Sequence, residues 1–245
     1  MQLVDLDQTT LAVHEWGSPD DPALFFWHAL GPDASAEYFA PVAERLAAAG
    51  YRVVAVDGPG FGASPVLEEE GYALDSLVEL LQGLVVRLDL EPLVVMGHSW
   101  GGAIAVRYAA AHPENVTALV LLDSGHIDYG DLPEVDADRP AADWVEEVRA
   151  RDGRHSEARG RAMHGLTAPV SDAWPVIAEQ RIPTLLILAT LPPHVEQNRE
   201  HIGRFEQALP HAEVRWAENA GHGLVDDIGP SLGDEIAGWL ADQDR

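Results

Sequence analysis

Neither cysteine nor lysine occurs anywhere in the 245 residues. Without cysteine there is no thiol nucleophile, thiolate metal site, iron-sulfur cluster or disulfide. Without lysine there is no Schiff-base chemistry and no covalent pyridoxal phosphate site. The 15 Lys and Arg side chains are therefore all arginine, and against 41 Asp and Glu they leave a formal net charge of −26. A surface of that sign repels nucleic acid and anionic membranes, so neither is an expected partner. Long apolar runs are missing as well. No stretch approaches the roughly 18 residues of a membrane span, and no charged-then-apolar leader opens the sequence. The expectation is a cytoplasmic protein whose partner is a small molecule.

What is present is an ordinary globular composition, 47% hydrophobic, in a length that suits one large domain. Short apolar runs alternate with longer helical patterns, the mark of an α/β domain with a mostly parallel sheet covered on both faces. Strands are expected over residues 10–16, 23–28, 51–57, 93–97, 118–123, 184–189 and 212–217. Helices are expected over 36–49, 74–88, 101–111, 197–209 and 231–241. In the first of these, Phe39, Val42, Leu46 and Ala49 share a face and Gly50 is the stop signal. After Ser124 the strand rhythm stops until about Val176, in a stretch rich in Asp, Arg and Pro with a helical pattern around Trp144. The expected organisation is a core of residues 1–124 and 177–245, interrupted by a short helical insertion over 125–176.

The densest signal is Gly97-His98-Ser99-Trp100-Gly101-Gly102, directly after the apolar run Leu93-Val94-Val95-Met96. It reads as a strand delivering one serine onto a sharp turn that opens a helix, the G-x-S-x-G nucleophile elbow. A serine hydroxyl attacks a carbonyl only if it stands clear of the backbone and a base takes its proton. The plainer alternative is a serine that merely caps the helix.

Three further motifs stand in order around it: Phe25-Phe26-Trp27-His28-Ala29-Leu30-Gly31-Pro32, then Val53-Val54-Ala55-Val56-Asp57-Gly58-Pro59-Gly60-Phe61-Gly62, then Ala220-Gly221-His222-Gly223 near the end. With these four, the chain resembles the α/β-hydrolase family over nearly all its length, least so between residues 125 and 176. The resemblance implies an eight-stranded, mostly parallel sheet with helices on both faces, the insertion acting as a short cap.

It also implies a Ser-His-acid triad. Ser99 is the expected nucleophile. Among eleven histidines, His222 is the expected base, on a loop after the last strand between two glycines. The usual family place for the acid, just after the penultimate core strand, reads Ala189-Thr190-Leu191-Pro192, with Pro192 where a carboxylate is expected. Asp123 ends the preceding core strand, 24 positions after Ser99. Some branches of the family, including one resembling the haloalkane dehalogenases, take their acid from that strand. Asp123 is the expected acid, with Glu196 and Asp128 the alternatives. The backbone amides of Leu30 and Trp100 are the expected oxyanion donors, although Ala29 replaces a glycine usual in that loop. Trp27, Leu30, Phe61 and Trp100 are candidates for an apolar pocket, or for plain core. Arg154, Arg159 and Arg161 read as a solvated helix face. No histidine pair has metal-ligand spacing, and no metal or cofactor is expected.

The expected activity is a cofactor-independent serine hydrolase acting on a carboxylic ester, lactone or thioester through an acyl-enzyme. A serine at the elbow argues against haloalkane dehalogenase and epoxide hydrolase chemistry, which in related families needs an aspartate there. A carbon-carbon bond hydrolase or cofactor-free perhydrolase of the same fold, and a non-catalytic ligand-binding protein on this scaffold, are the alternatives.

Overall fold

The computed structural model describes residues 1–133, 135–151 and 153–243. Eight strands form one sheet: β1 (Gln2–Asp5), β2 (Thr10–Trp16), β3 (Ala23–Trp27), β4 (Arg52–Val56), β5 (Leu93–His98), β6 (Val116–Leu122), β7 (Thr184–Ala189) and β8 (Glu213–Ala217). Their spatial order is β1-β2-β4-β3-β5-β6-β7-β8. β2 runs antiparallel to both its neighbours, and every pairing from β4 to β8 is parallel. The eight-stranded α/β-hydrolase architecture expected from the motifs is the one observed.

The helices are α1 (Ala40–Ala48), α2 (Leu74–Leu88), α3 (Trp100–Ala111), α4 (Ala141–Arg151), α5 (Ser156–Gly165), α6 (Trp174–Gln180), α7 (His194–Ala208) and α8 (Leu224–Gln243). Because successive side chains of a strand point to opposite faces, the apolar strands feed two cores at once. Phe25, Trp27, Val54, Val95 and Leu121 pack with α2 and α3 on one face. Leu24, Phe26, Val53, Met96 and Leu122 pack with α1 and α8 on the other. Parallel strands buried on both faces explain the unbroken apolar runs in the sequence.

Four details differ from expectation. β1 carries a single buried residue, Val4, too little for a periodic signal. The first helix opens as a 3-10 turn, Ala36–Phe39, before α1. α7 starts three residues earlier than expected, directly after Pro193. α8 starts at Leu224 rather than at the expected residue 231 and runs through Pro230, its buried Leu224 and Val225 tying the first turn to the core. Between β6 and β7 lie a 3-10 turn, Tyr129–Asp131, and α4, α5 and α6. Among the described residues no helix is long and apolar enough to cross a membrane.

Candidate active site

Ser99 sits between β5 and α3 with φ 53° and ψ −116°, a strained conformation for a residue with a side chain. The strain lifts its hydroxyl off the sheet edge, and the flanking glycines make the turn possible. A Cβ on Gly97 would lie 2.1 Å from the Gly101 carbonyl oxygen, and one on Gly101 would lie 2.0 Å from the carbonyl oxygen of Trp27. The elbow is pinned by the Ser99 N–H donating to Leu122 O at 3.1 Å and by the Ser124 hydroxyl donating to Ser99 O.

β6 runs parallel beside β5 and ends one residue before Asp123, which turns with φ 47° and is almost fully buried. Its Oδ2 accepts a hydrogen bond from His222 Nδ1 at 2.7 Å. Its Oδ1 accepts from the Ala189 amide at 2.9 Å and from Asn198 Nδ2 at 2.6 Å. Burial pushes the carboxyl up, but the hydrogen bonds from His222, Ala189 and Asn198 outweigh it and hold the group down at about 2. Asp123 is thus a carboxylate in any neutral solution. Of the other two candidate acids, Glu196 is exposed on α7. Asp128 is tied down by the amides of Val170 and Ser171 at 2.7 and 2.9 Å and by the Ser171 hydroxyl at 2.5 Å.

The loop after β8 delivers His222. Its carbonyl accepts from His98 Nε2 at 2.6 Å, and the amide of neighbouring Gly221 donates to Asp227 at 2.7 Å. Because its Nδ1 proton goes to Asp123, the ring offers Nε2 as the free lone pair, the tautomer a general base requires. Among the described residues Ser99 is not hydrogen-bonded to that ring; the Tyr129 hydroxyl lies beside the side chains of Ser99 and Ser124. Such contacts commonly tighten only with substrate bound. Burial pushes the Tyr129 hydroxyl up, so it remains a neutral donor.

The amides of Leu30 and Trp100 have no hydrogen-bond acceptor among the described residues. Two unpaired N–H groups flanking a strained serine are what a developing oxyanion requires. Trp27, Phe61 and Trp100 are fully buried and packed ring on ring, with Trp27 and Trp100 edge to face at 5.6 Å and Phe61 and Trp100 at 5.7 Å. They are core, while Leu30 stays half-exposed. Arg154 pairs with exposed Asp33, and Arg161 with Leu67 O and Glu157.

Sequence reasoning did not find Tyr129, His194, Asn198 or His126 near the site. His194, the first residue of α7, stacks on His222 at 4.4 Å with 16° between the planes. Asp123, His194 and His222 together offer potential metal-ligand atoms within 4.8 Å of one another. Within the trio Asp123 is already bonded to His222 Nδ1 at 2.7 Å.

A sequence model described as the alpha/beta hydrolase fold matches residues 22–160, more than half of the chain. This chain belongs to the alpha/beta hydrolase family. A 2-hydroxy-6-oxononadienedioate/2-hydroxy-6-oxononatrienedioate hydrolase of Cupriavidus pinatubonensis is 39% identical over 99 residues, which is 40% of this chain and 34% of that protein. An AB hydrolase superfamily protein of Bacillus subtilis is 32% identical over 126 residues, 51% of this chain and 43% of that protein. The matched segments therefore span well under half the length of these relatives. Among solved structures, a carboxylesterase study of the thaumarchaeon Nitrososphaera gargenis provides one with a TM-score of 0.84 at 16% identity, covering 99% of this chain and 98% of that one. E-2-(Acetamidomethylene)succinate hydrolase superposes with a TM-score of 0.74 at 20% identity, covering 98% of each chain. These two share the fold.

Proposed function

We propose that this chain cleaves a carboxylic ester, lactone or thioester through an acyl-enzyme on Ser99, with His222 as base and Asp123 as the acid that orients it. The observation that carries the reading is the 2.7 Å bond from His222 Nδ1 to Asp123, which leaves Nε2 as the ring's free lone pair. In the forward step Nε2 takes the Ser99 proton as Oγ attacks the carbonyl carbon, and the amides of Leu30 and Trp100 receive the oxyanion. Collapse of the tetrahedral intermediate returns the proton from His222 to the leaving alcohol or thiol. Water, deprotonated by the same ring, then releases the acid and restores Ser99. Every group in this sequence belongs to the chain itself, so the reading calls for no metal or cofactor. Residues 125–176 would serve as the lid that shields the acyl-enzyme.

A carbon-carbon bond hydrolase is the second reading, favoured by the names of relatives such as that of Cupriavidus pinatubonensis. Those names describe dicarboxylate substrates. Arg154 and Arg161 of the insertion are engaged with Asp33 and Glu157, and a net charge of −26 disfavours a dianion, so the ester reading leads.

The test is a rate screen with p-nitrophenyl esters of graded acyl length, lactones, acyl thioesters and a 2-hydroxy-6-oxodienoate, alongside labelling by a fluorophosphonate. Ester turnover with labelling at Ser99 supports the proposal. Turnover of the dienoate alone moves the assignment to the second reading, and no labelling at all leaves a ligand-binding protein.

A further inference from the structure

Behind Asp123 the structure carries a second rank of polar side chains that substrate does not reach. Asn198 donates to Asp123 Oδ1 at 2.6 Å through Nδ2, and its own Oδ1 faces His126 Nε2 at 3.0 Å. Asp123, His126 and Asn198 are each at most 3% exposed, and they come from the end of β6, the loop beyond it and α7. Asn198 occupies the apolar stripe of α7 between Val195 and Phe205. An amide buried there is costly unless both its ends are paired, and here both are. Burial pushes His126 down, keeping it neutral, so one ring nitrogen carries the proton, and facing an amide oxygen it is Nε2. That proton fixes which way the amide points. A flipped Asn198 would set donor against donor at His126 and oxygen against carboxylate at Asp123.

We propose that Asn198 and His126 are positioning residues that act through the Asp123 carboxylate to set the orientation and proton affinity of the His222 ring. The inference rests on the reading of Ser99, His222 and Asp123 as a triad. An N–H bonded to Oδ1 draws negative charge away from Oδ2, so the imidazolium formed during catalysis is held less tightly and returns its proton more readily. It also fixes the carboxylate plane, and through it the ring, against rotation. Other groups share this environment: His98 on β5 at 5.0 Å and His194 on α7 at 4.4 Å face His222, and Asp227 holds the loop at Gly221. The charge of Asp123 is also felt by Tyr129. None of these replaces the donor at Oδ1, where the Ala189 amide alone would remain.

The test compares the wild-type chain with Asn198→Leu, Asn198→Ala and His126→Phe by proton NMR of the His222 ring, read over pH, together with kinetics per fluorophosphonate-titrated site. With either Asn198 variant the pH midpoint of the ring signals should move up by about half to one unit, and the low-field Nδ1–H resonance should shift. The rate constant per site should fall about tenfold with KM changed less than twofold. His126→Phe should do the same to a smaller degree. A folded Asn198 variant whose His222 midpoint and Nδ1–H resonance match wild type overturns the proposal, as does a loss confined to the fraction of labelled sites. A wild-type chain that resists labelling but shows these spectral shifts on substitution keeps the positioning role and removes the serine-hydrolase reading.

Discussion

His28 Nδ1 donates to the carbonyl of the very next residue, Ala29, at 2.7 Å, while its Nε2 accepts the amide of Gly58 at 2.8 Å. The carbonyl of Ala29 and the N–H of Leu30 belong to one planar trans peptide and point in opposite directions. By holding the one, His28 aims the other. Burial pushes the ring down to about 4, so it stays neutral and keeps one donor and one acceptor. The loop residue that replaces the usual glycine, Ala29, is thereby supported by its neighbour's side chain rather than by its own flexibility.

Replacing His28 by Phe should therefore misaim the Leu30 amide without touching the triad. Loss of one oxyanion donor outright costs about a hundred- to a thousandfold in kcat, so a misaimed one should cost about ten- to a hundredfold. The measurement is kcat on the best ester from the screen, with KM as the control. A variant with wild-type kcat removes Leu30 from the proposed oxyanion hole.

Ser99→Ala should abolish turnover and fluorophosphonate labelling while the circular dichroism spectrum stays unchanged. His222→Ala should be about as damaging, and the double variant no worse than either, because parts of one catalytic unit are strongly non-additive. A double variant far slower than both singles would mean that the two residues do not act together.

How much of this was legible beforehand depends on which physical signal each residue leaves. β7 was readable to the residue because its apolar run over 185–189 is continuous and preceded by Pro183, and β2 because its apolar stretch over 11–13 is bounded by the turn signals of Asp7 and Gly17. β1 was not, since one buried valine makes no pattern. Ser99 and His222 announce themselves through the glycines their turns require. Asp123 was legible only through the missing carboxylate at Pro192 and the spacing of one helix and one strand. Asn198 had left a trace, a polar residue in phase with Val195 and Phe205 on an otherwise apolar stripe. That trace says only that a partner exists, because the partner, Asp123, is 75 positions away in sequence. Tyr129 and His194 left none, being single polar residues whose neighbours are set by tertiary packing.

Stability should respond to acid through two buried histidines. Burial holds His28 down at about 4 and His98 at about 3, both below the ordinary value of 6.5. The unfolded chain therefore takes up their protons first as pH falls, so their neutral burial is fully stabilising above about 6.5 and is progressively lost toward the folded values. Each contributes a slope of about 1.4 kcal/mol per pH unit across that window. His98→Gln keeps a donor for the His222 carbonyl but cannot be protonated. Its unfolding free energy, from urea melts between pH 7 and 5, should fall less steeply than that of wild type by about that slope. Parallel curves would show that His98 titrates in the folded protein.

Asp123→Asn should cut the rate on the order of a thousandfold or more, while Glu196→Gln should leave it within about twofold. The first loss follows from the tautomer. An amide can present its N–H where His222 Nδ1 also presents one, so the ring turns or moves its proton to Nε2 and can no longer accept from Ser99. The second follows from exposure, because Glu196 faces solvent on α7 and carries no bond to the ring. The Asp123 carboxyl, held at about 2 in the folded chain against 3.8 for an ordinary aspartate, also contributes on the order of 2 kcal/mol of stability. That contribution is present above about pH 4 and disappears as pH falls toward 2. An Asp123→Asn chain should then lose less stability than wild type across that acid window, alongside its loss of rate at neutral pH. A large rate loss in Glu196→Gln with normal turnover in Asp123→Asn would move the acid to α7 and require His222 to turn away from β6.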